Sequence, residues 1–549
     1  MSIIVNHISY LHPDKEILFE NISFSINKSE KIALIGNNGT GKSTLLKILA
    51  GQLQASSGEV VSNDQPYYVP QHFGQYDSLT IAEVLLIDKK IKALQAILSG
   101  DASEKNFTSL NDDWTIEDKV SAAFLQWKIT HLSLSQPMKE LSGGEKTKVF
   151  LAGIAIHAPS IILLDEPSNH LDMDSRTQLY EFIKTEKACV IVVSHDRTLL
   201  NLLNVTYELQ KDNIIVYGGN YEFYKKQKEG KIDALQEQLE EQEKALRLAR
   251  KAARETVERK QKHESRGKKQ NIKGGISRIA IKTLKDNAEK SSSRLAKTHA
   301  EKMETMKDNI KQIHNKIPEI KGLMLQIENA STHKGKMLIE AENINAKYGK
   351  TSLWEETMSF YVRSGDRIVI SGKNGAGKTT LLRMLLGEVI PSTGTIKRPL
   401  FNYLYVDQQY EIIDNQCTVF EQVQNHNKRN LQEHELKTLL HRFLFPVQSW
   451  DKTCDKLSGG EKMKLTFCSL IVSNQTPDLI ALDEPANNVD IESLEIITST
   501  IKEYQGTVLL ISHDQYFIQE IGIDYCWDLK TASTRNGEQK IVEQVENEK

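Results

Sequence analysis

Short apolar runs occur towards both ends of the chain, and each is followed within a few residues by glycine, acid or histidine. Ile32-Ala33-Leu34-Ile35, Ile161-Ile162-Leu163-Leu164 and Val190–Val193 hold no polar residue. Such runs read as strands buried on both faces of a parallel sheet. Arg367–Ile370 and Val508–Ile511 take the corresponding places later in the chain, and Thr44–Leu49, after the first run, reads as a helix. Between 225 and 336 the period changes. Met303, Met306, Ile310, Ile313 and Ile317 recur at spacings of 3 and 4, the stripe of a helix that packs on another. Ile232, Leu235, Leu239, Leu246 and Ala253 fit one stripe more weakly. Turn formers interrupt the pattern over Ser265–Gly275. The pattern therefore predicts an antiparallel two-helix hairpin with its tip near 266–282. Each arm of about 40 residues would be about 60 Å long at the helical rise.

The chain also repeats itself. Gly36-Asn37-Asn38-Gly39-Thr40-Gly41-Lys42-Ser43 recurs as Gly372-Lys373-Asn374-Gly375-Ala376-Gly377-Lys378-Thr379. Leu141-Ser142-Gly143-Gly144-Glu145 recurs as Leu457-Ser458-Gly459-Gly460-Glu461, Leu164-Asp165-Glu166-Pro167 as Leu482-Asp483-Glu484-Pro485, and Ser194-His195-Asp196 as Ser512-His513-Asp514. Four motifs in one order, twice, mark a duplicated domain. Lys42 and Lys378 are 336 residues apart, Ser142 and Ser458 316, and Gln71 and Gln408 337. The first copy is thus about 20 residues longer after Gln71, and the extra length is placed near 86–113. The expected organisation is a first domain over 1–224, a helical-hairpin linker over 225–336, a second domain over 337–530 and a short tail over 531–549.

Each motif asks for a definite chemistry. Gly36–Ser43 fits the phosphate-binding loop pattern in full, between a predicted strand and a predicted helix. Backbone N–H groups of Gly36, Asn37, Asn38, Gly39, Thr40, Gly41 and Thr44 would close around phosphates, with the helix dipole in their favour. Lys42 would reach the β- and γ-phosphates and Ser43 would hold Mg2+. Gly372, Lys373, Asn374, Gly375, Ala376, Gly377, Lys378, Thr379 and Thr380 take the same parts in the second copy. Asp165 and Glu166 end a buried run, which places them at the sheet edge where open α/β folds bind ligands. Asp165 would support Mg2+ and Glu166 would polarise the attacking water, as would Asp483 and Glu484. His195 and His513 follow buried strands, as expected of γ-phosphate sensors. Ser142-Gly143-Gly144 and Ser458-Gly459-Gly460 each open a predicted helix and offer a second anion-binding N-terminus. One domain has no use for two of these on one nucleotide, whereas two domains facing head-to-tail do.

This motif set resembles the ATP-binding cassette (ABC) superfamily. Two cassettes on one chain with a basic helical linker between them resemble the ABC-F family of ribosome-associated ATPases, over nearly the whole length. The resemblance implies an α/β fold of two P-loop cassettes in tandem joined by an α-helical hairpin. It implies an ATPase, with ATP and Mg2+ as its cofactors, that closes as a clamp on two ATP molecules. It also implies the ribosome as partner, through rRNA and the P-site tRNA, with the linker reaching towards the peptidyl-transferase region. The chain would be a monomer whose cassettes dimerise within it. Tyr68-Val69-Pro70-Gln71 and Tyr405-Val406-Asp407-Gln408 match the family's Q-loops, which would put Gln71 and Gln408 on ATP and its Mg2+. Tyr10 and Tyr348 stand where the family stacks an aromatic ring on adenine. Asn488 replaces the usual histidine of the loop after Glu484. The insertion near 86–113 resembles the family's arm, but its charges nearly cancel. Both a general translation factor and an antibiotic-resistance ribosome protection protein fit the pattern. The former is favoured because 262–285 holds no aromatic residue that would displace a drug.

Composition and charge narrow the partners. No apolar run approaches the roughly 18–20 residues of a membrane span, and the first twenty residues lack the pattern of a signal peptide. The five cysteines, Cys189, Cys417, Cys454, Cys468 and Cys526, are scattered, which excludes a zinc ribbon and argues against a disulfide framework. A cytoplasmic protein without a membrane domain is expected. The net charge of −3 hides a local excess, since 231–316 holds 23 Lys+Arg against 13 Asp+Glu. Arg266, Lys268, Lys269, Lys273, Arg278 and Lys282 stand in a stretch with no acid over 265–285. Basic runs are usually solvated helix faces, but cations gathered at a hairpin tip point to RNA phosphates. An ATPase subunit of a membrane transporter has no use for such a linker. A DNA-repair cassette ATPase would interrupt one cassette rather than separate two.

Overall fold

The computed structural model describes residues 3–12, 17–101, 103–271, 297, 302–313, 335–349, 351–373, 375–407, 410–473, 477–486, 489–529 and 540–541. The chain divides into two compact units. One holds Met1–Glu222 and Leu323–Lys549, the other Phe223–Gly322.

Both copies of the duplicated domain lie in the first unit and are built alike. In the first copy a six-stranded sheet runs in the order Tyr67–Val69, Ile161–Asp165, Cys189–Val193, Lys31–Ile35, Val205–Leu209, Ile214–Tyr217. Its first five strands are parallel and the last antiparallel. Every residue of Ile161–Asp165 and of Cys189–Val193 is buried, as expected for strands covered on both faces. The helix Lys42–Leu49 covers one face with Leu45, Leu46, Ile48 and Leu49. A three-stranded antiparallel sheet, Ile17–Ile26, Ile3–Leu11, Ser57–Ser62, closes the core on that side. The second copy repeats both sheets, with Tyr403–Val406, Leu479–Asp483, Thr507–Ile511, Arg367–Ser371, Tyr525–Asp528 and Lys540–Ile541 in the larger one. That last strand pairs antiparallel with Tyr525–Asp528. The sheet therefore extends into the segment assigned above to a tail, because Tyr525–Asp528 would otherwise leave an unpaired edge.

Parallel topology carries all the strand ends that precede the motifs to one edge of the sheet. The loops after Lys31–Ile35, Tyr67–Val69, Ile161–Asp165 and Cys189–Val193 hold the phosphate loop, Gln71, Asp165-Glu166 and His195 in turn. The inserted length in the first copy forms two helices, Asp88–Leu98 and Glu104–Leu110, packed on each other. Asp113 ties this insertion down by accepting from Lys90 Nζ at 2.8 Å and Lys119 Nζ at 2.7 Å. On either side of it the copies agree again. Thr80 and Thr418 make equivalent capping boxes with Glu83 and Glu421, and they bridge to Pro137 and Thr453.

In the second unit the helix Tyr221–Asn271 is 51 residues long. It stays helical through 265–271, where turn formers had predicted an interruption. Gly267 stands among Arg, Lys and Gln, and an isolated glycine costs a helix only about 1 kcal/mol. Ile232, Leu235, Leu239 and Leu246 are less exposed than the charged residues between them, and so are Met303, Met306, Ile310 and Ile313 in the helix over 302–313. Residues 272–296 and Ile317 lie outside the described residues, as do Lys273, Arg278 and Lys282. Arg266, Lys268 and Lys269 are described in their backbone alone.

The two copies touch through helices Arg197–Asn201 and Gln515–Ile521. Arg197 is 1% exposed, and its Nη1 donates to Glu520 Oε2 at 2.8 Å, with Glu495 4.0 Å away. Asn201 Nδ2 donates to the Tyr516 hydroxyl at 2.7 Å, and that hydroxyl donates to Glu222 at 3.2 Å. A buried cation that loses its partner costs more than removal of the whole pair. We predict that Glu520→Ala destabilises the protein by about 3 kcal/mol, whereas Arg197→Met, which keeps the apolar stem, costs about 1 kcal/mol. Denaturant midpoints check the order, and a larger loss for Arg197→Met would contradict it.

Candidate active site

Lys42 and Lys378 sit at the first turn of their helices, each after a glycine in the left-handed region, Gly41 at φ 91° and Gly377 at φ 88°. A Cβ on Gly41 would stand 3.0 Å from the Phe19 ring, so the loop needs glycine for space as well as for φ. Lys42 Nζ donates to Gly36 O at 2.7 Å and Asn37 O at 3.1 Å, inside the loop's own cup. Lys378 Nζ does the same to Gly372 O at 2.9 Å and Lys373 O at 3.2 Å. Ser43 Oγ donates to Asp165 Oδ1 at 3.1 Å, and Thr379 Oγ1 to Asp483 Oδ2 at 2.7 Å. The hydroxyl of each phosphate loop is thereby tied to the acid two strands away.

Glu166 and Glu484 follow with φ of 50° and 53°. A left-handed φ is unfavourable for glutamate. The backbone N–H of each still makes the last rung of the strand ladder, to Val193 O and Ile511 O at 2.8 Å each, and the left-handed φ then turns the chain off the strand direction. The carboxylates then face the histidines. His195 Nε2 lies 3.3 Å from Glu166 Oε1, and His513 Nε2 lies 3.3 Å from Glu484 Oε1. Burial pushes the Glu166 carboxyl up, with the neighbouring Asp165 adding to it. Burial pushes Glu484 up to about 7. Burial, with Lys42 nearby, keeps His195 neutral. These are carboxyl groups that bind a proton readily near neutral pH, which suits a group that orients water and accepts its proton.

Ser142 and Ser458 cap the helices Gly143–His157 and Gly459–Val472, each in a capping box with Glu145 or Glu461. Gly143 and Gly144 pack against His170, and Gly460 against Val489 and Asp490. Asp490 caps its own helix through Ser493, and its Oδ2 accepts from Asn38 Nδ2 of the first copy at 2.8 Å. The phosphate loop of one copy thus touches the residue that packs on the Ser-Gly-Gly helix of the other.

The donor set fits Mg2+ carried by a nucleotide. Asp483 Oδ1 is buried with no hydrogen-bond partner, while Oδ2 is bound to the Thr379 hydroxyl. A hydroxyl and one carboxylate, with phosphates and water completing the shell, is the usual Mg2+ arrangement. No cluster of three metal-ligating side chains occurs among the described residues. Gln71 stands at the bend after Tyr67–Val69, partly buried, and Tyr10 is half-buried with its ring 6.3 Å from that of Phe19. Gln408 and Asn374 lie outside the described residues, as does Asn488, and so does the Tyr348 side chain.

Several residues at the site went unnoticed in the motifs. The Tyr68 hydroxyl donates to Asp165 at 3.1 Å and the Tyr405 hydroxyl to Asp483 at 3.4 Å. Trp354 Nε1 donates to Ala376 O at 3.0 Å and so fixes the second phosphate loop, which lacks the threonine hydroxyl that binds Asn37 O in the first. The tyrosines carried a signal, since each stands three residues before its glutamine. Trp354 and Asp490 carried none, because their partners are distant in the chain.

Residues 19–169 and 356–487 match the ABC transporter family. The chain belongs to this family and is a tandem ATP-binding cassette ATPase of the ABC-F type. It is 28% identical to the ATP-binding protein Uup of Escherichia coli, over 96% of this chain and 80% of that one. It is 27% identical to ABC transporter F family member 5 of Arabidopsis thaliana, over 92% of this chain and 72% of that one. A solved structure of archaeal ribosome recycling factor aABCE1 with the archaeal ribosomal stalk protein aP1 shares the fold. Its TM-score is 0.58 at 19% identity, over 95% of this chain and 87% of that one.

The glycines of the Ser-Gly-Gly helix separate by what they meet. A Cβ at Gly143 would stand 3.1 Å from the His170 ring, which can turn aside, whereas at Gly144 it would stand 2.8 Å from the His170 carbonyl, which cannot. We predict that Gly144→Ala lowers ATP turnover about tenfold or more, as expected for misplaced catalytic elements, and that Gly143→Ala costs less. Steady-state hydrolysis by the two variants tests this, and the reverse order would refute it.

Proposed function

We infer that this ATPase is a cytoplasmic translation factor that binds the ribosome. Closure of its cassettes on two ATP molecules would bring the basic linker towards the peptidyl-transferase region and the P-site tRNA. The observation that carries the reading is a helix of 51 residues, in a stretch with ten more Lys+Arg than Asp+Glu, between two phosphate loops of one compact unit. Among the described residues no helix is long and apolar enough to cross a membrane, and such a linker has no use in a transporter subunit. A recycling factor of similar fold, named for the ribosome, supports the same partner.

Each ATP is held by both cassettes. The first site joins Lys42, Ser43, Gln71, Asp165, Glu166 and His195 with Ser458, Gly459 and Gly460, in keeping with the Asn38–Asp490 contact. The second joins Lys378, Thr379, Gln408, Asp483, Glu484 and His513 with Ser142, Gly143 and Gly144. Mg2+ bound with ATP neutralises phosphate charge, and Ser43 with Asp165, and Thr379 with Asp483, would hold it. Lys42 and Lys378 swing from their loop carbonyls onto the phosphates. Glu166 and Glu484 orient the attacking water and accept its proton. His195 and His513, buried beside them, donate to the γ-phosphate. Arg266, Lys268, Lys269, Lys273, Arg278 and Lys282 bind RNA phosphates.

Glu166→Gln with Glu484→Gln keeps size and removes the proton acceptors. ATP turnover should fall by roughly 10²–10⁴-fold, and the ATP-loaded protein should stay on ribosomes through sedimentation. Turnover at the wild-type rate would take both residues out of the reaction, and a trapped protein that fails to cosediment would sink the ribosome. The linker cations are tested in that trapped protein. With all six replaced by alanine, ribosome affinity should fall and its dependence on salt should flatten, because a phosphate that no longer meets a cation keeps its condensed counterion. Equal affinities and equal slopes across a salt series would reduce the linker to a spacer.

A further inference from the structure

The two ATP sites differ in what crosses to them from the opposite cassette, and the difference falls on one buried arginine. Arg176 follows the cap residue Asp172 in the helix Met173–Thr185 of the first cassette and is 7% exposed. Its Nε donates to Leu171 O at 3.1 Å, so the stem is anchored to its own loop. Its Nη1 points away from that loop into the second cassette and donates to the backbone carbonyl of His513 at 3.5 Å. There it lines a small polar cavity with Glu484 and Asp514 of the second cassette and with His195 and Asp196 of its own, and of these two histidines it is the carbonyl of His513 that it bonds. The carbonyl it holds belongs to the histidine whose ring lies 3.3 Å from Glu484 Oε1 and 3.3 Å from Lys378 Nζ.

Among the described residues the first site has no counterpart. Asp172 and Asp490 are equivalent caps 318 residues apart, and the same offset carries Arg176 onto Leu494. Leu494 is buried in its own cassette and has no donor to offer the carbonyl of His195. What crosses to the first site is Asp490, which accepts from Asn38 of the phosphate loop and whose charge also acts on His195, as the charge of Asp172 meets His513 at the second site; neither brings a guanidinium to the carbonyl of the histidine.

We propose that Arg176 is a positioning residue of the second ATP site, acting from the first cassette, and that it makes hydrolysis there depend on cassette apposition in a way the first site does not. A guanidinium is suited to this, because it stays charged when buried and its planar donors hold two carbonyls at once. Withdrawal of the first cassette removes the clamp on His513 O, and the imidazole is then no longer fixed between Glu484 and Lys378. The inference rests on Glu166 and Glu484 each serving one site.

The experiment uses the full-length protein in two backgrounds. Glu166→Gln leaves the second site to hydrolyse ATP, and Glu484→Gln leaves the first. Each is combined with Arg176→Leu, which copies the second cassette, and with Arg176→Lys. In the Glu166→Gln background Arg176→Leu should lower kcat about tenfold, as expected for a misplaced catalytic group, with KM for ATP changed less than about twofold. Arg176→Lys should recover part of the loss. In the Glu484→Gln background both variants should match their parent. An equal loss in the two backgrounds, or a loss accompanied by a lower unfolding midpoint in Arg176→Leu and Arg176→Lys alike, would reduce Arg176 to a structural contact and overturn the proposal. So would an unchanged kcat in the Glu166→Gln background. Failure of the underlying reading shows separately, in the parents. If either glutamine variant alone hydrolyses ATP at the wild-type rate, that glutamate does not serve its site, and the proposal falls with it.

Discussion

Buried carboxylates at the ends of apolar strands set the terms for the rest of the structure. Asp165, Glu166, Asp483 and Glu484 are all buried beneath the sheet edge. A charge in such a place is costly unless partners meet it. The nearest partners in sequence are of no help, because the preceding residues are Ile, Leu and Ala in a fully covered strand. Relief comes from the phosphate loop and from the tyrosine before the glutamine loop. The strand Cys189–Val193 lies between the acid strand and the strand that feeds the phosphate loop. Ser43 and Asp165 therefore bond across about 10 Å of sheet, which fixes how far the loop can stand from the acid. The left-handed turn at Glu166 has the same origin. It takes on local strain where the chain leaves the strand ladder, and the carboxylate lies against His195.

The duplication preserves this arrangement and relaxes nearly everything away from it. Tyr504 buries its ring in the second cassette, where its hydroxyl donates to Pro477 O at 2.5 Å and glycine at 506 leaves it room. The first cassette has Glu186 and Ala188 in the equivalent places, and a cleft of about 400 Å³ opens there beside Pro159 and Cys189. The helices Asp88–Leu98 and Glu104–Leu110 have no partner in the second copy, and they enter between two capping boxes that both copies keep. Differences are tolerated at the far end of the sheet and on the helical side because neither place bears on the strand ends. At the cassette interface they bear directly, and there Arg176 stands against Leu494.

The helix between the cassettes obeys a different constraint. It has too few apolar residues to build a core, and over 231–250 it buries a narrow stripe while its charged residues stay in solvent. Its length follows from the absence of proline over 231–316 and from long stretches of good helix formers, in which Gly267 is too weak a break to end it.

The sequence by itself determined the architecture and the chemistry of each half-site. Uniform apolar runs meant parallel strands covered on both faces, and parallel strands gather their C-terminal loops at one edge, so the phosphate loop, Asp165, Glu166 and His195 had to meet. The constant offsets between motifs located the insertion to within a few residues. What the tertiary structure decided was everything that depends on the angle between two cassettes and on partners hundreds of residues apart. The bond from Asn38 to Asp490, the burial of Arg197 against Glu520 and the reach of Arg176 to His513 O have no period or motif to announce them. Local pattern also misjudged the stretch over 265–271, where neighbouring helix formers outweighed one glycine, and the pairing of Lys540–Ile541, which the open edge of a sheet recruits. Periodicity reports which face of an element is buried, and it is silent about which distant element buries it.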